Sequence, residues 1–198
     1  MNLVLGESEL PLRLRFERPM TDDELLRFCA ENDSVQIERD TNGELLLMTP
    51  SGMNTSRMNQ RICRLLDEWA EMDGRGVVTD SSGGYALPDG AMRAPDAASV
   101  ASTRLARLTE KEKDGFAPVC PDFVIELRSP SDRRPDLHAK MRQWLANGVK
   151  LAWLIDPIEQ AVTIYRPGEE PEHLAHPTSV QGTGPAAGFE LVLSRIWG

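Results

Sequence analysis

The sequence predicts an α/β protein whose central mixed β-sheet is flanked by α-helices. Three observations point there. Residues 58–72 and 137–145 carry apolar side chains at helical spacing. Residues 122–128 alternate with the two-residue period of a strand. Residues 151–155 form a nearly continuous apolar run, as a strand covered on both faces requires. A sheet with helices packed on it buries both kinds of apolar surface.

The elements follow in order. Residues 1–20, with Pro11 and Pro19, read as an irregular N-terminal extension, and residues 21–198 as a single domain. Thr21 with Glu24 three residues on forms a capping box, which predicts a helix through about Ala30. Residues 35–39 and 44–48 flank Asp40, Thr41, Asn42 and Gly43 and read as a hairpin. Met58, Ile62, Leu65, Leu66, Trp69 and Met72 share one face of a helix that Gly74 ends. Strands are expected at 76–80 and 85–87, around a turn containing Ser81 and Ser82, and again at 96–100 and 122–128. Leu137, Met141, Trp144 and Leu145 mark a second amphipathic helix, with Pro135 tolerated in its first turn. Strands at 151–155 and 161–165 follow. Residues 167–188, rich in Pro, Gly, Glu and Ala, read as a long surface connection before residues 189–198 return to the body.

Composition narrows the function. Of 198 residues, 31 are acidic and 22 basic, giving a net charge of −9. That argues against a generic nucleic-acid coat. The charge is uneven, however. Residues 126–150 carry six basic and three acidic side chains, so that segment is +3 and the remainder −12. A phosphate-bearing partner would be met by one face only. No apolar run approaches the roughly 20 residues of a membrane helix, and no secretory signal is read at the N-terminus. Cys29, Cys63 and Cys120 stand far apart, which excludes a disulfide framework and a cysteine zinc site. A reducing, cytoplasmic setting fits them.

The carboxylates that open strands are the informative ones. Pro-Asp occurs four times, and context sorts the four. Asp89 lies in a loop before Gly90, and Asp136 in the first turn of a helix, where a carboxylate answers the dipole. Asp96 and Asp122 each open a strand. Along the strand from Asp122, even-numbered side chains share one face. Asp122 and Glu126 lie about 13 Å apart and cannot grip one ion together. A glutamate between Ile125 and Leu127 is costly unless paired or metal-bound. One solution is an ion pair with Arg128, about 7 Å away at Cα. Lys140 lies at the edge of its helix's apolar face, roughly 80° from the centre. It can snorkel at the surface or place its ammonium over the strand.

An Asp after Pro at a strand start, followed some 30 residues on by Glu126-x-Arg128, resembles the PD-(D/E)XK nuclease superfamily. The similarity is closest to its bacterial Uma-two branch of endonucleases. It rests on Glu38-Arg39 with Gly43-Glu44, on the stretches 48–52, 80–83, 87–91 and 93–96, and on 120–132. It continues through Lys140-Met141, Asn147-Gly148, 153–157, 164–168, Phe189 and Ile196-Trp197. Together these span roughly residues 20–198.

The resemblance implies a restriction-endonuclease-like fold and a Mg²⁺-dependent DNA endonuclease, with Mn²⁺ as an alternative ion. Asp96 and Glu126 would hold the metal, and the superfamily's lysine role falls on Arg128 or Lys140. The superfamily usually places lysine two residues after the glutamate; this chain has Arg128. Arginine stays protonated, so it can clamp a phosphate but cannot act as a base. Lys140 would then be a relocated catalytic lysine. Glu44, at the end of the hairpin turn, is a further candidate acid. A homodimer would let a symmetric pair address both strands. The alternative is a catalytically silent module on the same fold that binds nucleic acid or protein. His173 and His176 sit between prolines and read as loop, and His138 as a helix residue that could face phosphate.

Overall fold

The computed structural model describes residues 11–197; the first ten residues of the expected extension, and Gly198, lie outside the described residues. The elements in chain order are β1 (Leu12–Leu14), α1 (Asp22–Glu31), β2 (Gln36–Arg39), β3 (Leu45–Met48), α2 (Met53–Asp73), β4 (Gly76–Asp80), β5 (Tyr85–Ala86) and β6 (Met92–Arg93). Then come β7 (Ala97–Ala101), the short helices α3 (Ser102–Leu105) and α4 (Glu110–Lys113), β8 (Phe123–Leu127), α5 (Arg134–Ala146), β9 (Leu151–Asp156) and β10 (Ala161–Tyr165). The chain closes with β11 (Glu172–Ala175), β12 (Ser179–Gln181), β13 (Glu190–Val192) and α6 (Ser194–Trp197).

A six-stranded sheet in the order β11-β10-β9-β8-β7-β4 forms the body. It is mixed: β8 and β9 run parallel, joined by α5, and the other neighbours are antiparallel. Helices cover both faces. Phe123, Ile125 and Leu127 of β8 pack with Ile62 and Leu66 of α2, while Val124 packs with Met141 and Trp144 of α5. The alternation read from the sequence therefore divides β8 between two cores. Glu126, on the even-numbered face, turns toward α5. This is the restriction-endonuclease-like α/β fold. A five-stranded antiparallel sheet, β1-β3-β2-β6-β5, stands beside it with α1 on a third core of Leu25, Phe28, Leu45 and Leu47. The chain passes from β6 of this sheet through Ala94 and Pro95 directly into Asp96 and β7.

Local signals account for most boundaries. Thr21 caps α1 by accepting from the Glu24 amide, and the Glu24 carboxylate accepts from the Thr21 amide. Gly74 ends α2 at φ 72°, the left-handed conformation that glycine adopts without a Cβ penalty.

Three expectations need correction. Part of the N-terminal segment read as irregular is β1, which pairs with β3 as an edge strand. Residues 167–188 are not a bare connection: they contain β11 on the edge of the main sheet and β12 paired with β13. Edge strands tolerate the polar, proline-flanked composition that suggested a loop, and His173 accordingly lies in β11. Finally, Met72 is 83% exposed, whereas Ala70 is buried. The buried stripe of α2 steps through Met58, Ile62, Leu66 and Ala70. Each four-residue step drifts about 40°, so by the last turn the stripe has rotated away from Met72.

Candidate active site

Two sheets and one helix meet at Lys140. From the main sheet, Ala97 pairs with Ile125 in antiparallel register, so Asp96, one residue earlier, stands opposite Glu126. From the second sheet, β2 brings Glu38 and β6 brings Arg93. From α5 come Lys140, Gln143 and Trp144.

The Lys140 ammonium lies 2.9 and 3.0 Å from the two oxygens of Glu126 and 2.9 Å from Glu38 Oε1. It also reaches the Ala94 carbonyl at 3.4 Å. The Trp144 indole N–H donates to Glu126 Oε1 at 2.8 Å, which satisfies a buried donor and fixes the carboxylate's plane. Glu38 is 2% exposed and also accepts from Arg93 at 2.7 Å and from the Ala94 amide at 3.2 Å. Asp96 Oδ2 accepts the Leu127 amide at 2.7 Å. Its other oxygen has no protein partner among the described residues. Arg93 is held from behind by Gln143, which donates in turn to Asp89 at 2.9 Å.

The electrostatics follow from this crowding. Three carboxylates face two cations, Lys140 and Arg93, leaving an excess of negative charge in a buried place. Burial pushes the carboxyls of Asp96 and Glu126 above their ordinary range. The neighbouring acids add to the rise, and Lys140 only partly opposes it. Glu38, between Lys140 and Arg93, overcomes its own burial and stays low. Lys140 also loses hydration, yet the surrounding carboxylates raise its pKa and keep it charged.

The sequence candidates separate here. Asp96, Glu126 and Lys140 come together. Arg128 does not join them, because the strand has ended: its guanidinium donates to Asp156 at 2.7 Å, and its Nε is buried without a partner. The Glu126–Arg128 ion pair therefore does not form. Glu44 lies away from the site and pairs with Arg13 at 3.2 Å. Asp122 sits at the opposite end of β8, held by Lys150, Arg104 and the Ala101 amide. Sequence reasoning missed Glu38, Arg93 and Trp144. Glu38 carried a signal, being a charge between Ile37 and Arg39 in a predicted strand. Trp144 reads from its helical spacing only as core, although its indole N–H needs an acceptor.

The model of the family described as "Uma2: Putative restriction endonuclease" matches residues 22–194. The chain belongs to the Uma2 family. Its fold is also similar to a crystal structure described as "a putative nuclease belonging to DUF820 from Anabaena variabilis ATCC 29413". That similarity has a TM-score of 0.73 at 22% identity and covers 90% of this chain and 98% of the other. No curated protein matches the chain.

The donor set suits a hard divalent cation. Mg²⁺ takes one or two carboxylates and keeps several waters. Asp96 and Glu126 are two such groups on adjacent strands, within a net negative cluster that a cation would relieve. Among the described residues, no group of three or more His, Cys, Asp or Glu side chains forms a closed metal cage.

Proposed function

We propose that this Uma2-family protein is a Mg²⁺-dependent endonuclease that hydrolyses phosphodiester bonds of DNA, with Mn²⁺ as an alternative ion. The observation that carries the reading is the convergence of Asp96, Glu126 and Lys140 from two adjacent strands and the following helix. Family membership and the nuclease-like fold support the reaction class.

Asp96 and Glu126 would hold the ion, which would supply Lewis acidity toward the phosphate and a lowered pKa for a water. Lys140 is charged throughout, so it orients the attacking water and stabilises negative charge on the phosphate rather than accepting a proton. Trp144 keeps the Glu126 carboxylate in one orientation. Glu38, itself paired with Arg93, holds the ammonium from the other side. Arg128 assists by pinning the strand end to β9 through Asp156. The free thiols of Cys29, Cys63 and Cys120 suit a cytoplasmic enzyme, and a homodimer would present two such centres to the two strands. Among the described residues, no helix is long and apolar enough to cross a membrane.

One observation favours a silent binding module instead: both Glu126 oxygens already bond Lys140 or Trp144. Calorimetric titration of Mg²⁺ and Mn²⁺ into wild type and Glu126→Gln separates the readings, alongside cleavage of plasmid DNA. The nuclease reading expects metal binding and cleavage in wild type and loss of both in the variant. Equal binding in both proteins, or metal binding with no cleavage of DNA, would favour the silent module.

A further inference from the structure

The flank of α5 away from Lys140 carries a second polar cluster. Arg134, His138 and Arg142 recur at four-residue intervals and so form one stripe along the helix. On the helical repeat, the stripe and Lys140 fall on opposite sides of the apolar face. The main sheet brings two more groups to the stripe. Tyr165 of β10, buried, is hydrogen-bonded through its hydroxyl to His138 Nδ1. His173 of β11 stands across from Thr163, two residues before Tyr165 on the same face of β10, with Nδ1 3.2 Å from Thr163 Oγ1.

Arg134 and Arg142 make the stripe electropositive on either side of His138. With the Tyr165 hydroxyl donating to Nδ1, His138 carries its proton on Nε2, which has no protein partner among the described residues. Burial, then Arg134, Arg142 and His173, hold the His138 imidazole below its ordinary pKa, with Asp156 alone opposing. Arg142 is exposed and has no ion pair among the described residues. Arg134 is engaged by Glu159 at 2.5 Å, so Arg142 is the stripe's uncompensated charge. In a chain of net charge −9, an unpaired arginine beside two imidazoles and a tyrosine hydroxyl is suited to an anion.

We infer that Arg142, His138 and His173 form a second phosphate-binding site, which takes a backbone phosphate of duplex DNA away from the bond being cut. This rests on the nuclease reading above. The two sites flank one helix of about 10–12 Å diameter. At about 3.4 Å per base step, that is roughly three steps along a strand. The site would therefore fix the direction of the duplex across α5 and aim the scissile phosphate at Lys140.

The test is binding of a short fluorescent duplex to the full chain with metal chelated, across a salt series, for wild type and Arg142→Gln. The Arg142 side chain makes no hydrogen bond or ion pair among the described residues, so the variant should keep the wild-type melting temperature. Its log K against log salt should lose about 0.9 of slope, the loss of one phosphate contact. In wild type, the duplex should also shift the His138 and His173 imidazole resonances. Duplex bound with unchanged slope and unshifted imidazoles would overturn the second site and leave the nuclease reading standing. No duplex binding by wild type, in chelator or in Ca²⁺, would overturn the nucleic-acid reading and this site with it.

Discussion

Removing the Lys140 ammonium leaves Glu126 and Glu38 buried without their shared cation. Uncompensated buried charge is among the costliest single changes in a protein, so Lys140→Ala should lower stability by about 3–5 kcal/mol in denaturant unfolding, and abolish cleavage. Asp122 gives a cleaner pH signature at the far end of β8. Burial alone would push its carboxyl up, but Lys150, the Ala101 amide and Arg104 outweigh it and hold the pKa below the ordinary value of 3.8. A depressed carboxyl stabilises the fold above its unfolded pKa and loses that contribution as pH falls through its folded one. The stability gap between wild type and Asp122→Asn should therefore be full near neutrality and shrink below about pH 4, as acid titration of unfolding would read. At this scale the sequence was partly legible. Glu126 and Lys140 are readable as carriers of charge in apolar settings, and Asp96 as an acid that opens a strand after Pro95. Glu38 and Glu44 belong to the same hairpin, and hairpin position cannot say which acid faces a helix far away in sequence.

The long helices show how capping and packing divide the labour. Gly74 sits at φ 72° with open space where a Cβ would stand, so Gly74→Ala meets backbone strain and no clash. A loss of about 1–2 kcal/mol is expected, measured as a lowered unfolding midpoint. In α5, Pro135 occupies the first turn and Asp136 answers the dipole, as local rules require. Which flank of α5 does chemistry is a different matter. Lys140 and His138 look alike on a helical wheel, each beside the apolar face. Their difference comes from what the sheet offers: Glu126 on β8 for one, Tyr165 on β10 for the other.

The tail is part of the body. Phe189 stacks on Trp153 at 5.7 Å and lies 5.5 Å from Trp69 and 6.3 Å from Phe123, so one ring ties the C-terminal segment to the main sheet and α2. Phe189→Ala should cost about 3–5 kcal/mol and keep a single cooperative transition. A separate early transition would show that the tail folds independently. Composition hid this. Residues 167–188 have loop chemistry, and only the partner strands β10 and β13 turn parts of them into sheet.

The sequence by itself determined the interleaved helices and strands, the two-faced alternation of β8 and the residues that bear charge in apolar surroundings, because periodicity and capping are local properties. The tertiary structure alone decided partners. It turned Arg128 to Asp156, brought Glu38 and Arg93 from the second sheet to Lys140, and set Trp144 against Glu126. Those contacts join residues 18 to 102 positions apart, and the neutralisation of a buried charge depends on distance in space, which the order of residues along the chain does not specify.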